Sequence, residues 1–586
     1  MPLPEYSGTL GFNRAAHLLR RASFGATKQQ IESFAALTPQ QATTLLFNQV
    51  LPDPPLPVDP DTNQEWTTGI TDPEKMDSDY QEYFKRWFVG QMLSAGVDPN
   101  LSLAYSVREK LVMFLHTHFT AIQEKINNSR ALYFQNQLYR MFALDEDALP
   151  EVNFRELTKK VSVDNAMLRL LDGNQNVKGS PNENYARELF ELYSIGRGLE
   201  GSLPPTPGPG DYVLFKEQDV QSAARVLSGF DFDDTFSNID PETGLPRGRA
   251  RGSNLNASSH DNDPKIFSDS FIDINTGAPY VIQPDQLLLN GANPTLESAL
   301  DEISQLIDMI YEQEETLRHI CRRIYRYYVY HEIPEALHNT IIAEMANTFR
   351  LNGFKLQPVV ENLLRSQHFY EAAPGVDDDQ FGGIIKSPLD LIVGTLRFFN
   401  YPVPDMAVDP TGFYEITGEV INLADNQGMV FYQPFDVAGY DAYHQFPVYQ
   451  RSWITVNYLT RRYEFIRRMV TEMEDGMLKV DVVNFVQTNF AAVAPNARNL
   501  IIELARNLLP VSNNLTFDAD ADDTATITAE RLNYFLVSFL ENPKIDDDPE
   551  GAWNIRWTNG FDPETVRRQL ENLFNAMLQT PEYQLH

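Results

Sequence analysis

The segment from Ser180 to Gly196, SPNENYARELFELYSIG, carries the signals of a complete α-helix. Ser180 suits the N-cap, Pro181 suits the first turn, and Glu183 follows Ser180 by three residues, as in a capping box. Gly196 suits the end of a helix. At about 100° per residue, the apolar and polar side chains separate onto opposite sides. The segment therefore predicts an amphipathic helix. Its carboxylates have two interpretations, as partners of Arg187 on the helix surface or as ligands of an ion.

Similar periodicity recurs along most of the chain and predicts a mainly α fold. The clearest predicted helices cover residues 79–95, 101–119, 153–171, 181–195, 296–311, 451–473, 529–540 and 563–578. Two stretches lack helical periodicity. Residues 229–294 are rich in Asp, Asn, Ser and Gly and contain short extended pieces, and residues 405–450 are irregular and aromatic.

The length of 586 residues is enough for a large multi-helix globular body with long irregular loop insertions and few short strands. We expect four parts. Residues 1–200 form an N-terminal helical part and residues 201–300 a loop-rich Asp/Asn/Gly insertion. Residues 301–475 form a central helical part with an aromatic loop at 401–450, and residues 476–586 form a C-terminal helical part.

The charge of the chain limits its partners. Lys and Arg total 47 against 81 Asp and Glu, which gives a net charge of −34. Such a surface repels nucleic acid and anionic membranes and favours solubility and cation binding. No apolar run approaches the length of a transmembrane segment, and the N-terminus lacks the pattern of a signal peptide. The single cysteine, Cys321, excludes an intrachain disulfide and is expected in the core.

Two histidines in LVMFLHTHF, His116 and His118, are the first candidates for chemistry. Two residues apart on a regular helix point about 200° away from each other, so the pair binds one ion only where the helix ends or unwinds. One interpretation makes His118 a hydrogen-bonded core residue. The other joins His116 to a carboxylate of the 180–196 segment, Glu183 or Glu188, which suits Zn, Mn or Fe. The predicted metal ligands are therefore His116, His118, Glu183 and Glu188.

His260 and Asp261 in SSHDNDPKIF form the second candidate. A histidine beside a carboxylate in a loop can act as a base or as a ligand. The alternative is a turn rich in Asp and Asn. The predicted catalytic residues are His260, Asp261 and His116.

Acidic clusters form the third candidate. Asp518, Asp520 and Asp522 have the opening spacing of a calcium-binding EF-hand, but Asp523 and Ala529 replace its glycine and its bidentate glutamate. An EF-hand is therefore excluded, and the alternatives are a looser calcium site or a solvated acidic loop. The run FDFDD, with Asp231, Asp233 and Asp234, is a second cluster of this kind.

The segment from Phe431 to Tyr449 contains seven Tyr or Phe residues and His444. Exposed aromatic rings suit recognition of carbohydrate or of a protein partner. The other interpretation is a hydrophobic plug that closes the helical core. The chain lacks G-x-S-x-G, Walker A, H-E-x-x-H and a convincing G-x-G-x-x-G motif.

Several ordered blocks resemble one known family. They are RAAHLLRRASFGAT (14–27), REKLVMFLHTHF (108–119), NENYARELFELYSIG (182–196), SSHDNDPKIF (258–267), IKSPLDLIVGTLRFF (385–399), QPFDVAGY (433–440) and TPEYQL (580–585). On these blocks the chain resembles, nearly end to end, the bacterial family known as "domain of unknown function 1800".

The resemblance implies an exported protein, periplasmic or extracellular, whose gene often lies beside one for a partner resembling sulfatases and alkaline phosphatases. It implies no particular activity. The family usually has histidine where this chain has Tyr193, and His-Pro where this chain has acidic residues near Glu312 to Glu315. These departures argue against a metal site built on those histidines.

Two classes of function stay open. In the first, the protein has a binding or structural role at the cell envelope, together with the phosphatase- or sulfatase-like companion. In the second, it is a metal-dependent hydrolase or oxidoreductase, with a divalent Zn, Mn, Fe or Ca ion where His116, the 180–196 segment and the His260 loop converge. A cytoplasmic location is the alternative to export, because the sequence as numbered begins without a leader.

Overall fold

Helices supply nearly all the regular structure, which confirms the predicted mainly α class. The computed structural model describes residues 3–145, 151–206, 208, 211–370, 383–510, 515–518, 527–540 and 548–586. The first helices are α1 (Gly11–Ala22), α2 (Lys28–Ala35), α3 (Pro39–Phe47), α4 (Asp77–Met92), α5 (Ser102–His118), α6 (Gln123–Ile126), α7 (Ser129–Ala143), α8 (Phe154–Val161), α9 (Asn165–Leu170) and α10 (Asn184–Glu188).

The middle of the chain continues with α11 (Glu217–Val226), α12 (Leu296–Tyr311), α13 (Glu314–Tyr328), α14 (Glu335–Leu337), α15 (Ala343–Leu351), α16 (Leu356–Arg365), α17 (Gln367–Tyr370) and α18 (Pro388–Phe398). The last helices are α19 (Pro410–Asn426), α20 (Asp441–His444), α21 (Val456–Val470), α22 (Val482–Asn489), α23 (Ala497–Leu508), α24 (Ala529–Leu540), α25 (Pro549–Asn559) and α26 (Pro563–Leu578). Short 3₁₀ turns cover Gly173–Gln175, Tyr449–Ile454 and Glu582–Gln584, and π-helical turns cover Leu189–Tyr193 and His338–Ile342.

The strands of the described residues lie in the predicted loop-rich stretch. Strand β1 (Phe230–Asp231) pairs antiparallel with β2 (Arg249–Ala250), and β3 (Lys265–Ile266) pairs antiparallel with β4 (Val281–Ile282). Each pair is only two residues long, so side chains and turns hold this stretch in place.

Helix α5 is the central element, because every residue from Leu103 to His118 is buried. It contacts α3, α4, α7 and α13. Glu109 lies inside this packing, where Arg140 of α7 donates to both carboxylate oxygens, at 3.0 Å and 2.6 Å. Arg108 donates to the same carboxylate at 3.1 Å. One buried carboxylate therefore accepts hydrogen bonds from two buried guanidinium groups.

Local signals explain where several helices begin. Thr27 and Thr38 each form a capping box, with Gln30 and Gln41 respectively, at the start of α2 and α3. The predicted helix over 153–171 is wrong as a single element. The side chain of Asp164 accepts a hydrogen bond from the N–H of Met167 at 3.0 Å and so starts a separate helix, α9.

The prediction that residues 405–450 are irregular is wrong for their first half, which forms the 17-residue helix α19. The Asp409 side chain accepts from the N–H of Gly412 at 2.9 Å, and Pro410 occupies the first turn. Helix α19 packs closely on α4 at Gly90, where a Cβ atom would lie 2.0 Å from the Phe413 ring. Only glycine allows that approach of the two helices.

The four expected parts are joined by long-range hydrogen bonds. Arg20 of α1 donates to the carbonyl of Asn507 at 2.7 Å, and Lys110 of α5 pairs with Asp390 of α18. The buried apolar side chains of all four parts belong to one cluster. Within the described residues, no helix is both long and apolar enough to cross a bilayer.

Candidate functional site

The helix of the 180–196 segment begins later than predicted, at Asn184. The N–H of Asn182 donates to Oδ1 of Asn176 at 3.1 Å, and the N–H of Asn184 donates to Oδ1 of Asn182 at 3.0 Å. Such local side-chain bonds offer the backbone an alternative to the helix. Ser180, the predicted N-cap, lies instead in an isolated β-bridge. Asparagine turns therefore delay the start of the helix by one turn.

The segment also changes helix type, because the π-helical turn Leu189–Tyr193 continues α10. Carbonyls at the end of a helix have no donor within it. Here Nε2 of His118 meets the carbonyl of Tyr193 at 3.0 Å, and Nε2 of His319 meets the carbonyl of Leu192 at 3.1 Å. Burial and neighbouring arginines lower the pKa of both imidazoles well below the usual value. Two neutral histidines therefore cap the π-helical turn.

Gly196 leaves room for His319, one of the two histidines that cap the π-helical turn. Its φ angle is +74°, and a Cβ atom there would lie 2.4 Å from Nδ1 of His319. A side chain would therefore strain the backbone and displace the capping imidazole. His319 was not among the predicted site residues, since 123 positions in the sequence separate it from this glycine.

His116 lies on a different side of α5. Its ring stacks on Tyr432 with centroids 4.0 Å apart, and its Nε2 lies 3.5 Å from the hydroxyl of Tyr440. The side chain is fully buried, and burial lowers its pKa to about 3. This imidazole is therefore a neutral member of an aromatic stack.

Glu183 belongs to a pair of carboxylates at the surface. Nη2 of Arg187 donates to Glu217 at 2.9 Å and to Glu183 at 3.2 Å. Burial and the carboxylate of Glu217 raise the pKa of Glu183. Glu183 and Arg187 line an open polar depression with Gln175 and Asn182. The expected pairing of Arg187 with a carboxylate of its own segment is present at Glu183, whereas Glu191 pairs with Arg197. Glu217 of α11 is an additional partner of Arg187.

Glu188 is partly buried at the junction between α10 and the π-helical turn. Burial, together with the nearby charge of Glu191, raises its pKa to about 7. Glu191, in the π-helical turn, has partners of its own, since its carboxylate accepts from the Tyr212 hydroxyl at 2.6 Å and pairs with Arg197. Near neutral pH, both the charged and the neutral form of Glu188 are therefore populated.

The predicted catalytic pair His260–Asp261 lies in a buried loop. Nδ1 of His260 meets the carbonyl of Ser228 at 2.9 Å, and Nε2 lies 3.4 Å from Glu302. Arg225 donates to the Asp261 carboxylate at 2.7 Å. Burial alone would raise the pKa of Asp261, but Arg225 and backbone N–H bonds outweigh it and hold the pKa below its usual value. Both residues fasten the loop to α11 and α12.

Lys265 completes this buried group, which we call the Lys265–Glu302 cluster, with His260 as its third member. The Lys265 ammonium donates to the Glu302 carboxylate and to the carbonyl of Asp261, and both side chains are fully buried. A sequence signal for Glu302 existed. It stands three residues after Ala299 and four before Leu306, on the apolar side of α12. A charged residue at such a position needs a buried partner.

The structure does not gather the predicted metal ligands. Across the described ranges, no three His, Cys, Asp or Glu side chains are placed to hold a metal ion. His116 and His118 have separate neighbours, in line with their expected divergence on a helix. His116 and His260 lie in separate buried surroundings, which argues against a shared catalytic centre.

The acidic clusters are only partly described. Asp518 is included, whereas Asp520, Asp522 and Asp523 fall outside the described residues. In the other cluster, Asp233 accepts from the N–H groups of Ser237 and Asn238, both at 2.7 Å. A further bond from the N–H of Thr235, at 3.2 Å, forms an Asx turn at Asp233.

Together these features define a large, mainly α protein in which buried histidines cap backbone carbonyls and carboxylates line one exposed helix face. A family model described as "Protein of unknown function (DUF1800)" matches residues 17–585, so the chain belongs to this family. No curated protein and no solved structure gives a significant match.

Proposed function

We propose that this protein is an exported binding or structural protein of the cell envelope, which works with a companion of phosphatase- or sulfatase-like fold. The observation that carries the proposal is the surface of residues 430–456, which we call the recognition segment. It combines buried tyrosines with phenylalanines that face solvent, as expected for a rigid loop that presents apolar anchors.

The inner side of the recognition segment matches the plug interpretation. Tyr432 and Tyr440 are buried, and the N–H of Tyr432 donates to the Tyr440 hydroxyl at 2.8 Å. The N–H of Gln123 donates to the carbonyl of Tyr432 at 2.7 Å, which ties the loop to α6. His444 lies 3.2 Å from the carbonyl of Gly439. These bonds give the segment a fixed shape.

The outer side matches the recognition interpretation. Phe435 is 95% exposed and Phe446 is 52% exposed. The other exposed apolar residues of the segment are Val430, Val448, Ile454 and Val456. An isolated exposed apolar residue is ordinary, but six on one segment favour a binding surface. Since four of the six are aliphatic, a protein partner fits this surface better than a sugar does.

Replacing both phenylalanines, Phe435→Ser with Phe446→Ser, is expected to weaken binding to the companion at least tenfold, or about 1.4 kcal/mol. The reason is the loss of two aromatic anchors whose removal leaves the core intact. Isothermal titration calorimetry with the purified companion measures the effect. Phe561→Ser is the control, since Phe561 is 65% exposed outside the recognition segment.

The proposal fails if the two proteins form no complex at micromolar concentrations. It also fails if the control variant weakens binding as much as the double variant. Unchanged circular dichroism and melting temperature in all variants are needed to attribute the difference to the surface.

One observation favours the second class, an enzyme. Glu188 has a pKa raised to about 7, which suits a general acid or base at neutral pH. It also adjoins a π-helical turn, a feature frequent at functional sites. In this alternative Glu188 moves a proton to or from the reacting group. The described residues bring no three metal ligands together, so no step is assigned to a metal ion.

For the enzyme class, we expect Glu188→Gln to abolish hydrolytic or redox turnover, because the amide cannot exchange a proton. Glu183→Gln, five residues earlier at the N-cap position of α10, is expected to keep most of it. Turnover on ester and redox dye substrates is compared with elemental analysis of protein purified without chelator. Equal turnover in the two variants would exclude Glu188 from the chemistry.

A further inference from the structure

We propose that a cavity between α1, α18 and the C-terminal residues of the chain binds hydrogen phosphate. The cavity has a volume of about 40 Å³, and its polar lining includes Arg20, Lys386, Asp390, Tyr583 and His586. This is space for about three water molecules, which suits one small oxyanion and is too little for a sugar or a nucleotide.

Within the described part of the chain, the hydrogen-bond acceptors of the two cations at the cavity are neutral. Arg20 donates to the carbonyls of Asn507 at 2.7 Å and Leu509 at 3.1 Å. Lys386 donates from Nζ to the carbonyl of Tyr583 at 2.7 Å. Neither side chain forms an ion pair with a carboxylate of the described residues, although the chain as a whole carries a charge of −34. Oriented carbonyls compensate a buried positive charge less well than an anion does.

A third cation, Arg462, lies directly behind Lys386. Its Nη2 donates to the carbonyl of Lys386 at 2.8 Å, and its Nη1 donates to Oε1 of Gln584 at 3.3 Å. Burial lowers the pKa of Lys386 well below the usual value, the charges of Arg20 and Arg462 add to this effect, and the carboxylate of Asp390 opposes it. The direction of the shift shows that Asp390 does not outweigh burial and the neighbouring cations.

Asp390 is the carboxylate side chain among the described residues that line the cavity, and it already has partners. It pairs with Lys110, accepts from the Ser387 hydroxyl at 2.8 Å, and lies 3.5 Å from Nε2 of His586. Asp390 makes its closest ion pair with Lys110 and acts on Lys386 only from a greater distance, so it compensates the charges of Arg20 and Lys386 only in part. An anion placed in the cavity would meet two cations and a carboxylate that is already paired.

His586 explains why the anion should carry a proton. Its side chain is buried, it lines the cavity, and its Nδ1 has no hydrogen-bond partner among the residues that the structure describes. When Nε2–H donates to Asp390, Nδ1 is an acceptor that needs a donor. Hydrogen phosphate supplies oxygens for Arg20 and Lys386 and an O–H for Nδ1. Sulfate at neutral pH has no O–H to donate.

The test is titration of the full chain with inorganic phosphate at pH 7, followed by calorimetry and by phosphorus NMR. We expect saturable binding with a dissociation constant below 1 mM and a melting temperature that rises with phosphate concentration. Sulfate is expected to bind at least tenfold more weakly. Lys386→Met is expected to weaken phosphate binding at least tenfold, and it should fold because it removes an unpaired buried charge.

Arg461→Met, at an exposed arginine of α21, is the matched control and is expected to bind phosphate like the unaltered chain. Absence of saturable binding below 10 mM would overturn the proposal, and so would equal affinity for sulfate. If Lys386→Met does not fold, Arg20→Met replaces it, and unchanged affinity in that variant has the same meaning. Binding of the companion protein plays no part in these measurements.

Discussion

Replacing Glu109 by glutamine is expected to lower the free energy of unfolding by about 3–5 kcal/mol. The change leaves the guanidinium groups of Arg108 and Arg140 buried without the carboxylate that both use. Burial alone would raise the pKa of Glu109, but the two arginines outweigh it and hold the pKa below its usual value. The measurement is the urea midpoint, followed by circular dichroism and by tryptophan fluorescence.

A triple variant separates the charge effect from packing. Arg108→Met, Glu109→Leu and Arg140→Met together remove all three charges at similar volume, and we expect them to recover more than half of the lost stability. Glu124→Gln, at an exposed glutamate of α6, is the control and should change stability by less than about 0.5 kcal/mol. A loss below about 1 kcal/mol for Glu109→Gln would contradict the assigned role.

The second large effect is expected in the Lys265–Glu302 cluster. Glu302→Leu should cost about 3–5 kcal/mol, because it leaves the ammonium of Lys265 buried and unpaired. Lys265→Met should lower the free energy of unfolding by a similar amount, because it leaves the Glu302 carboxylate buried without its cation. The double variant Lys265→Met with Glu302→Leu should recover most of the loss, since no buried charge then stays without a partner.

Limited proteolysis measures where the loss occurs. The cluster joins the His260 loop to α12, so we expect both single variants to be cleaved faster between residues 229 and 294 than the unaltered chain or the double variant. Faster cleavage elsewhere, with this stretch unaffected, would show that the cluster does not hold the loop. The same comparison bears on His260, whose imidazole contacts Glu302.

The pattern of apolar residues was enough to predict elements whose signals are local. Helices α12, α24 and α26 have the predicted bounds, because each combines a cap or a proline with a regular apolar side. Helix α19 was missed, since its many aromatic neighbours in the sequence masked its apolar period. The delayed start of α10 depends on Asn176, eight residues upstream of that helix.

The partners of the candidate site residues could not be predicted from the sequence, because these contacts join distant parts of the chain. His118 and His260 were identified as unusual, but their partners come from distant elements, the π-helical turn and α12. A histidine in a sequence looks the same whether it binds a metal or caps a carbonyl. Glu302, the carboxylate beside His260, is visible in the sequence only as a charge on the apolar face of a helix.

The change from α to π geometry at residues 189–193 has one further consequence. An i+5 turn accommodates one residue more than an i+4 turn, so it behaves as a built-in insertion that shifts the angular phase of everything after it. The side chains that follow the turn are therefore rotated relative to those of an uninterrupted α-helix. Deleting one residue of the turn is expected to undo that rotation and to move the carbonyls of Leu192 and Tyr193 away from the histidines that contact them.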